Sequence, residues 1–340
     1  MQNLNEGMHG TVTHIIENGI IPNLKIEGDV AYSVDPVFNI VRNRVNAEIF
    51  KTLYRLDYDE NLLLKIVMHL CATQNEDGSW NEIHPNYDKT SALITSFIGE
   101  ALLLAHEKWP DNEYMVTALQ NAKDYVLLQE KEPGYYLKSL LYSADHLNVD
   151  ASCGAFLAHY GSKFKDSVCL DSARRSAKRI CDNQVSGIYP YTTDKGSYAY
   201  NLNVQCIHYQ GVTMYYLSKI NEILNDDYIK DSLVEGAKWL SSVQKKDGRF
   251  DWSKSGLMFA CYLTGAYAFA YAAFVYVSKW DDNYLQNADH CLQILQNNCD
   301  DLAFRWEKQS WNTFLSSFYV SYQNSLIGDY PIKHRFFRYS

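Results

Sequence analysis

The strongest constraint on this chain is an internal repeat. Three segments share Ala-Lys, five residues and then Gln: Ala122-Lys123 to Gln129, Ala177-Lys178 to Gln184, and Ala237-Lys238 to Gln244. Each Gln is followed within a few residues by Gly and, two residues further, by an aromatic. The instances are Gln129/Gly134/Tyr136, Gln184/Gly187/Tyr189 and Gln244/Gly248/Phe250. Another copy lies upstream as Gln74-Asn-Glu-Asp-Gly78-Ser-Trp80, and a degenerate one downstream at Ala288-Asp289 to Gln296. The glutamines step by 55, 55, 60 and 52 residues, about the length of two helices and their connections. A period of this size marks a stack of supersecondary units that bury their faces against one another.

Before each Gln, apolar residues recur at helical spacing, as in Leu119, Ala122, Tyr125 and Val126. The Gly ends that helix, and the aromatic can fold back onto the turn. A second, more apolar helix is expected after each turn, at 90–107, 149–160, 203–219, 256–277 and 311–324, with an N-terminal partner at 37–55. Helices apolar nearly all round are buried, and those with a charged face lie outside. Alternating the two types predicts an all-α fold, an (α/α)5–6 toroid or barrel of helical hairpins. An open solenoid shares the local pattern, but such apolar inner helices do not suit an open face. One domain over 1–340 is expected, with units at about 37–80, 88–136, 148–189, 203–250, 256–306 and 311–325 and a tail at 326–340.

The Gln-x(2–5)-Gly-x-aromatic turn resembles the QW motif of the terpenoid-cyclase and protein-prenyltransferase toroids. Gln74 to Trp80 matches in full, and Gln244 to Phe250 matches with Phe for Trp. Similar Asp-Gly-aromatic turns occur in toroidal carbohydrate-active enzymes, so the resemblance implies architecture. A class II terpenoid cyclase would carry an Asp-x-Asp-Asp acid; Asp57-Tyr-Asp59-Glu60 lacks the last Asp and reads as a surface turn. A prenyltransferase would need an Asp/Cys/His zinc set, and Asp150 and Cys153 are one residue too far apart for that family's Asp-x-Cys.

Hydrophobic residues make up 47% of the chain and charged residues 21%, which excludes a disordered chain. A net charge of -9 argues against nucleic acid as a partner; His334, Arg335 and Arg338 read as a solvated tail. No signal peptide is visible at the N-terminus. The apolar stretch at 266–277 is too short and too tyrosine-rich for a membrane span. A cytoplasmic protein is expected. The eight cysteines include no CxxC pair and read as reduced packing residues. Neither a metal nor a cofactor is expected.

In a closed toroid the turns entering the inner helices converge on one rim, where ligand-binding groups are sought first. There the sequence places His84, Asp88, Tyr142, His146, Trp252, Arg305, Trp306 and Arg42 as substrate-binding candidates. The richest segment runs from Tyr200 to Gln210 and adds Tyr200, Asn201 and Gln210. His208, Tyr209, Asn203 and Asp150 are the catalytic candidates. Rings mixed with amides, carboxylates, His and Arg suit a sugar better than a carbocation, which needs aromatic faces. Asn201, Asn203, His208 and Tyr209 together resemble the Asn/His/Tyr/Arg sets of toroidal polysaccharide lyases and uronate epimerases. That resemblance implies that an amide or Arg (Arg42, Arg44 or Arg305) neutralises a uronate carboxyl group while Tyr or His removes the C5 proton. A hydrolase would instead need two carboxylates, drawn from Asp88, Asp145, Asp150 and Asp251.

The function expected is a carbohydrate-active enzyme of lyase, epimerase or hydrolase type, acting on a glycan or uronate-containing precursor in surface-polysaccharide biosynthesis. Its partner is a small-molecule or oligosaccharide substrate. A terpenoid cyclase or prenyltransferase relative, and a non-catalytic glycan-binding or scaffold toroid, are the alternatives.

Overall fold

A computed structural model of the chain describes residues 16–34, 39–84, 86–140, 144–195, 205–256 and 265–305; at 18, 19, 84 and 296–305 it describes the backbone alone. Ten α-helices lie among the described residues. They are α1 (Asn43–Arg55), α2 (Glu60–Ala72), α3 (Ala92–Lys108), α4 (Glu113–Leu128), α5 (Leu147–Phe164), α6 (Ser167–Asp182), α7 (Ile207–Leu224), α8 (Asp227–Ser242), α9 (Gly265–Val277) and α10 (Tyr284–Arg305).

Burial separates them into two rings. The odd-numbered helices pack in the order α1, α3, α5, α7, α9 and are buried along most of their length. The even-numbered ones bury one stripe and expose the other. The π-helical turn Ile16–Ile20 packs against α10, bringing the start of the described chain to its last described helix. These are the inner and outer rings of an α/α toroid.

Capping follows this division in part, since inner helix α3 also begins on a side-chain cap, Ser91, which accepts from Ile94 N. Four outer helices begin on a side-chain cap: Asp59, Asn112, Asp166 and Asp226 each accept a backbone N–H of the first turn. Asp59 therefore serves as a cap within the Asp57–Glu60 string. Inner helices α1, α5 and α7 begin at Arg42, His146 and Cys206 with no side-chain cap.

The repeated turns tie each outer helix to the next. Gln74 Nε2 donates to Ala118 O of α4 at 2.8 Å, Gln184 Nε2 to Ser232 O of α8 at 2.8 Å, and Gln244 Nε2 to Asn287 O of α10 at 3.3 Å. Gln129 departs from this and reaches only Tyr125 O at 3.5 Å. There Glu130 makes the cross-unit link, accepting from Arg175 and Ser172 of α6. Gly187 has φ +80°, and a Cβ on it would fall well inside contact distance of Glu235 O. Glycine is thus required twice, for its dihedral and for close approach. Tyr136 and Tyr189 pair their hydroxyls with Ser172 and Ser232 at 2.6 and 2.8 Å.

Two features differ from the sequence expectation. Gln296 ends no helix, because α10 runs through it to Arg305; no Gly follows it closely to stop the backbone. Three short antiparallel hairpins also appear: β1 (Leu24–Glu27) with β2 (Val30–Ser33), β3 (Asn81–His84) with β4 (Tyr87–Thr90), and β5 (Glu130–Glu132) with β6 (Tyr135–Tyr136). Strands of two to four residues leave too little alternation to be read from sequence.

Gly187→Ala is expected to destabilise the fold by about 2–3 kcal/mol, from dihedral strain plus the clash. Gly28 has φ +59° with nothing within 4 Å of an added Cβ, so Gly28→Ala should cost only the dihedral part, about 1 kcal/mol. Urea melts of the two variants check the difference.

Candidate functional site

The first turns of the inner helices carry one structural device four times. The N–H of each turn aromatic is accepted by a side chain in the first turn of the following inner helix. Trp80 N donates to Thr95 Oγ1 (3.0 Å), Tyr136 N to Asp150 Oδ1 (2.8 Å), Tyr189 N to Gln210 Oε1 (2.9 Å) and Phe250 N to the Tyr267 hydroxyl (3.1 Å). Asp150 and Gln210 thus occupy equivalent latch positions, fully buried. Gln210 Nε2 is also engaged, donating to Gly187 O at 2.8 Å.

Asp150 belongs to a buried cluster behind the rim. Arg179 of α6 donates through Nε and Nη2 to Asp145 Oδ2 at 3.0 and 2.5 Å, and its Nε lies 3.9 Å from Asp150 Oδ2. Thr193 donates to the same Asp145 oxygen. Burial, then the neighbouring Asp145 charge, push the Asp150 carboxyl well above the usual carboxylate range, with the Arg179 guanidinium held between the two carboxyl groups.

The mouth itself is crossed by a line of rings. His146 packs on Tyr191 (centroids 4.7 Å apart), Tyr191 on Tyr209 (4.5 Å), Tyr209 edge-to-face on His208 (5.1 Å), and His208 on Phe269 of α9 (5.7 Å). Tyr191 and Tyr209 are half-buried, while His208 is 5% exposed. Burial, reinforced by the Arg44 charge, holds His208 down at about 3. Burial and then Lys138 hold His146 at about 4. Both imidazoles are neutral at physiological pH.

Arg44 lies on α1 and His208 on α7, with α3 and α5 between them in the ring order, so the guanidinium acts across the lumen. Its Cζ sits 3.6 Å above the Phe97 ring of α3. Below it a stripe of charge descends α1: Glu48 lies 4.0 Å from Arg44 and 2.9 Å from Lys51, which reaches Glu100 of α3 at 3.6 Å. Phe97 meets Tyr216 of α7 at 5.5 Å, joining the two inner helices that flank α5. Beyond them, the opposite end opens into a cavity of about 250 Å³ lined by Lys51, Arg55, Glu100, Glu107, Lys163 and Lys219.

The structure brings together His208, Tyr209 and His146, and sets Asp150 and Gln210 behind them. Arg42 is buried beside this group, its Nε donating to Ile83 O at 3.0 Å. Asp88 is exposed on β4 and accepts from Asn81. Trp252 packs edge-on against Phe250 and Tyr267. His84 ends β3, with only its backbone described, and Arg305 likewise ends α10. Tyr142, Tyr200, Asn201, Asn203, Trp306 and the segment 311–340 lie outside the described residues. Sequence reading counted Tyr191 among the rim residues without giving it a role, and passed over Phe97, Phe269, Glu48, Lys51 and Glu100. The signal for Glu100 was present, as a single carboxylate inside the apolar run ALITSFIGEALLLA. Among the described residues no three His, Cys, Asp or Glu side chains are placed to hold a metal, and no helix is long and apolar enough to cross a membrane.

A folded-state pKa raised above its unfolded value stabilises below the unfolded pKa and is lost as pH rises. Asp150→Asn keeps the acceptor for Tyr136 and removes the titration. The variant should match the parent in acid and melt progressively higher than it as the pH rises above the ordinary carboxylate range. A melting point several degrees below the parent at pH 8 would show that Asp150 is ionised. The depressed histidines act oppositely. His146 and His208 stabilise above their ordinary range near 6.5 and lose that contribution as pH falls towards 4.

No protein-family model matches this chain. No curated protein matches it either. Solved structures do resemble it. A heparin-specific unsaturated glucuronyl hydrolase superposes with a TM-score of 0.67 at 14% identity, covering 96% of both chains. A D-mannose isomerase gives 0.65 at 13% identity, over 93% of this chain and 96% of that one. An α-1,6-mannanase of Salegentibacter sp. HEL1_6 gives 0.62 at 11%, over 95% and 99%. At these identities the likeness shows the fold, and the chain is an α/α toroid.

Proposed function

We propose that the chain is a carbohydrate-active enzyme that binds a uronate-containing glycan at the toroid mouth and transfers a proton at carbon. The single observation that carries this reading is the ring line from His146 to Phe269, with a neutral imidazole under the field of Arg44. Tyr191 and Tyr209 offer half-buried aromatic surface for an apolar sugar face. The uncapped first turns of α1, α5 and α7 turn backbone N–H groups and the positive ends of three helix dipoles to the same rim. That field suits an anionic sugar. The similar solved structures, whose names describe a glucuronyl hydrolase, a mannannase-type hydrolase and an isomerase of sugars, support the substrate class.

The chemistry follows from the charges. A uronate carboxylate beside Arg44 offsets the charge that holds His208 down, so substrate binding raises the basicity of the imidazole. His208 then takes the C5 proton, and the electron pair left on C5 delocalises into the carboxylate held by Arg44. In epimerisation a proton returns to the opposite face of C5. In elimination a C4=C5 bond forms, the C4–O bond breaks and Tyr209 protonates the departing oxygen. Hydrolysis is the weaker reading, because it needs carboxylates about 5–9.5 Å apart across the bond. Asp145 and Asp150 are committed to Arg179 and the Tyr136 N–H behind the rim, and Asp88 is exposed on a hairpin. The protein acts in this reading as a cytoplasmic enzyme on a small-molecule or oligosaccharide substrate.

The test is turnover of uronate oligosaccharides in D2O, followed by deuterium entry at C5 and by the ultraviolet absorbance of a C4=C5 bond. His208→Gln should lower kcat by about 10²-fold or more. Arg44→Gln should raise KM and move the acid limb of the kcat/KM profile to higher pH, since it removes a charge that depresses His208. Tyr209→Phe should abolish elimination and leave deuterium exchange. Unchanged turnover in His208→Gln would sink the residue assignment, and binding without turnover in the parent would make the chain a glycan-binding toroid.

A further inference from the structure

A second cavity lies beside the mouth and carries a different chemistry. It measures about 440 Å³, within the range of small-molecule pockets. It sits where β2, the first turn of α1, the end of α2 and β3 meet. Tyr32, Asn43, His69, Thr73, Asn75 and Asn81 form its polar wall, and Val41 and Ile83 complete it. Among the described residues no Lys, Arg, Asp or Glu lines it, in a chain whose net charge is -9.

The polar atoms of this wall are partly committed, and what remains is a mixed set. His69 Nε2 and Asn43 Oδ1 pair at 3.1 Å, which leaves the two amide hydrogens of Asn43 as donors. The Thr73 hydroxyl donates to His69 O at 2.9 Å and keeps its lone pairs. Asn75 Nδ2 donates to Ser79 Oγ and Asn81 Oδ1 at 3.0 and 2.8 Å, leaving Asn75 Oδ1 as an acceptor. Tyr32, half-buried, stacks one ring face on His69 with centroids 4.8 Å apart. Burial keeps His69 neutral by holding it at about 4.

Donors and acceptors of neutral type, an aromatic ring and two aliphatic side chains are what an uncharged pyranose requires. Its hydroxyls both donate and accept, while its C–H faces pack on apolar surface. An anionic sugar would bring a carboxylate to a wall whose described residues include no cation, and lose its hydration there.

We propose that this pocket binds a neutral sugar residue of the same glycan whose uronate lies at the mouth. Position supports the link. Asn43 is one residue from Arg44 on α1, and Arg42 between the loop and the helix is fixed to Ile83 O, a backbone group of a pocket residue. The substrate class becomes an oligosaccharide that joins a uronate to an uncharged hexose or pentose. This rests on the uronate reading of the mouth for its substrate, but binding at the pocket is measured without it.

The experiment is saturation-transfer NMR with neutral disaccharides (mannobiose, xylobiose, cellobiose) and with glucuronate, on the full chain. At least one neutral disaccharide should bind with millimolar Kd. Val41→Trp, which fills the pocket, should weaken it at least tenfold, and Tyr32→Ala should weaken it several-fold. Arg44→Gln should leave it unchanged while weakening glucuronate. A melting curve for Val41→Trp establishes that the variant is folded, and Thr73→Val supplies a smaller change should it not be. Neutral-sugar binding that is absent, or indifferent to Tyr32→Ala and Thr73→Val, overturns the proposal. Neutral binding that depends on the pocket in a protein that ignores glucuronate would uphold the pocket and sink the uronate reading.

Discussion

The toroid depends on one backbone requirement: the N–H of each turn aromatic is buried and must be satisfied. Thr95, Asp150, Gln210 and Tyr267 meet it, each from the first turn of the following inner helix. The bond fixes the turn to the inner ring, while Gln74, Gln184 and Gln244 fix the same turn to the next outer helix. In the Tyr136 turn Glu130 replaces the glutamine, so each turn is anchored in two directions and the rim inherits its geometry from those anchors. An unsatisfied buried donor costs about 1–3 kcal/mol, so the four latches together outweigh any single contact at the mouth. The acceptor can be a hydroxyl, a carboxyl, an amide or a phenol. That variety hides the device from a reader looking for a repeated residue.

Electrostatics set what the lumen can do. Arg44, Glu48, Lys51 and Glu100 alternate in sign along the inner wall, so each buried charge has an opposite neighbour within 4.0 Å. Isolated charges at such depth would be expelled or neutralised. The alternation leaves Arg44 at the upper end of the series, nearest the rings, where its field falls on His208. The cluster of Asp145, Asp150 and Arg179 is held together separately, and of its charges Asp145 acts on His146 at the mouth, opposing the downward pull of burial and Lys138.

Much of the fold was legible because its determinants are local. Gln, Gly and aromatic recur at fixed offsets, and the inner helices are apolar on every side. Helix ends were read less well. The helix expected at 149–160 spans Leu147–Phe164, since α5 starts directly after the latch segment and ends only where Lys165 turns left-handed. For the site, His208, Tyr209 and His146 stood out as polar residues at the mouths of apolar helices. The roles of Asp150 and Gln210 could not be read, because the partner N–H of each lies 14 or 21 residues away in a turn. Tyr191 gains meaning only from its neighbours in space, since one tyrosine among 27 carries no distinguishing mark.

The contact of Phe97 with Tyr216 has a further consequence. It ties α3 to α7 across the intervening α5, so neither inner helix can slide without breaking a buried aromatic pair worth about 0.5–1.5 kcal/mol beyond its burial.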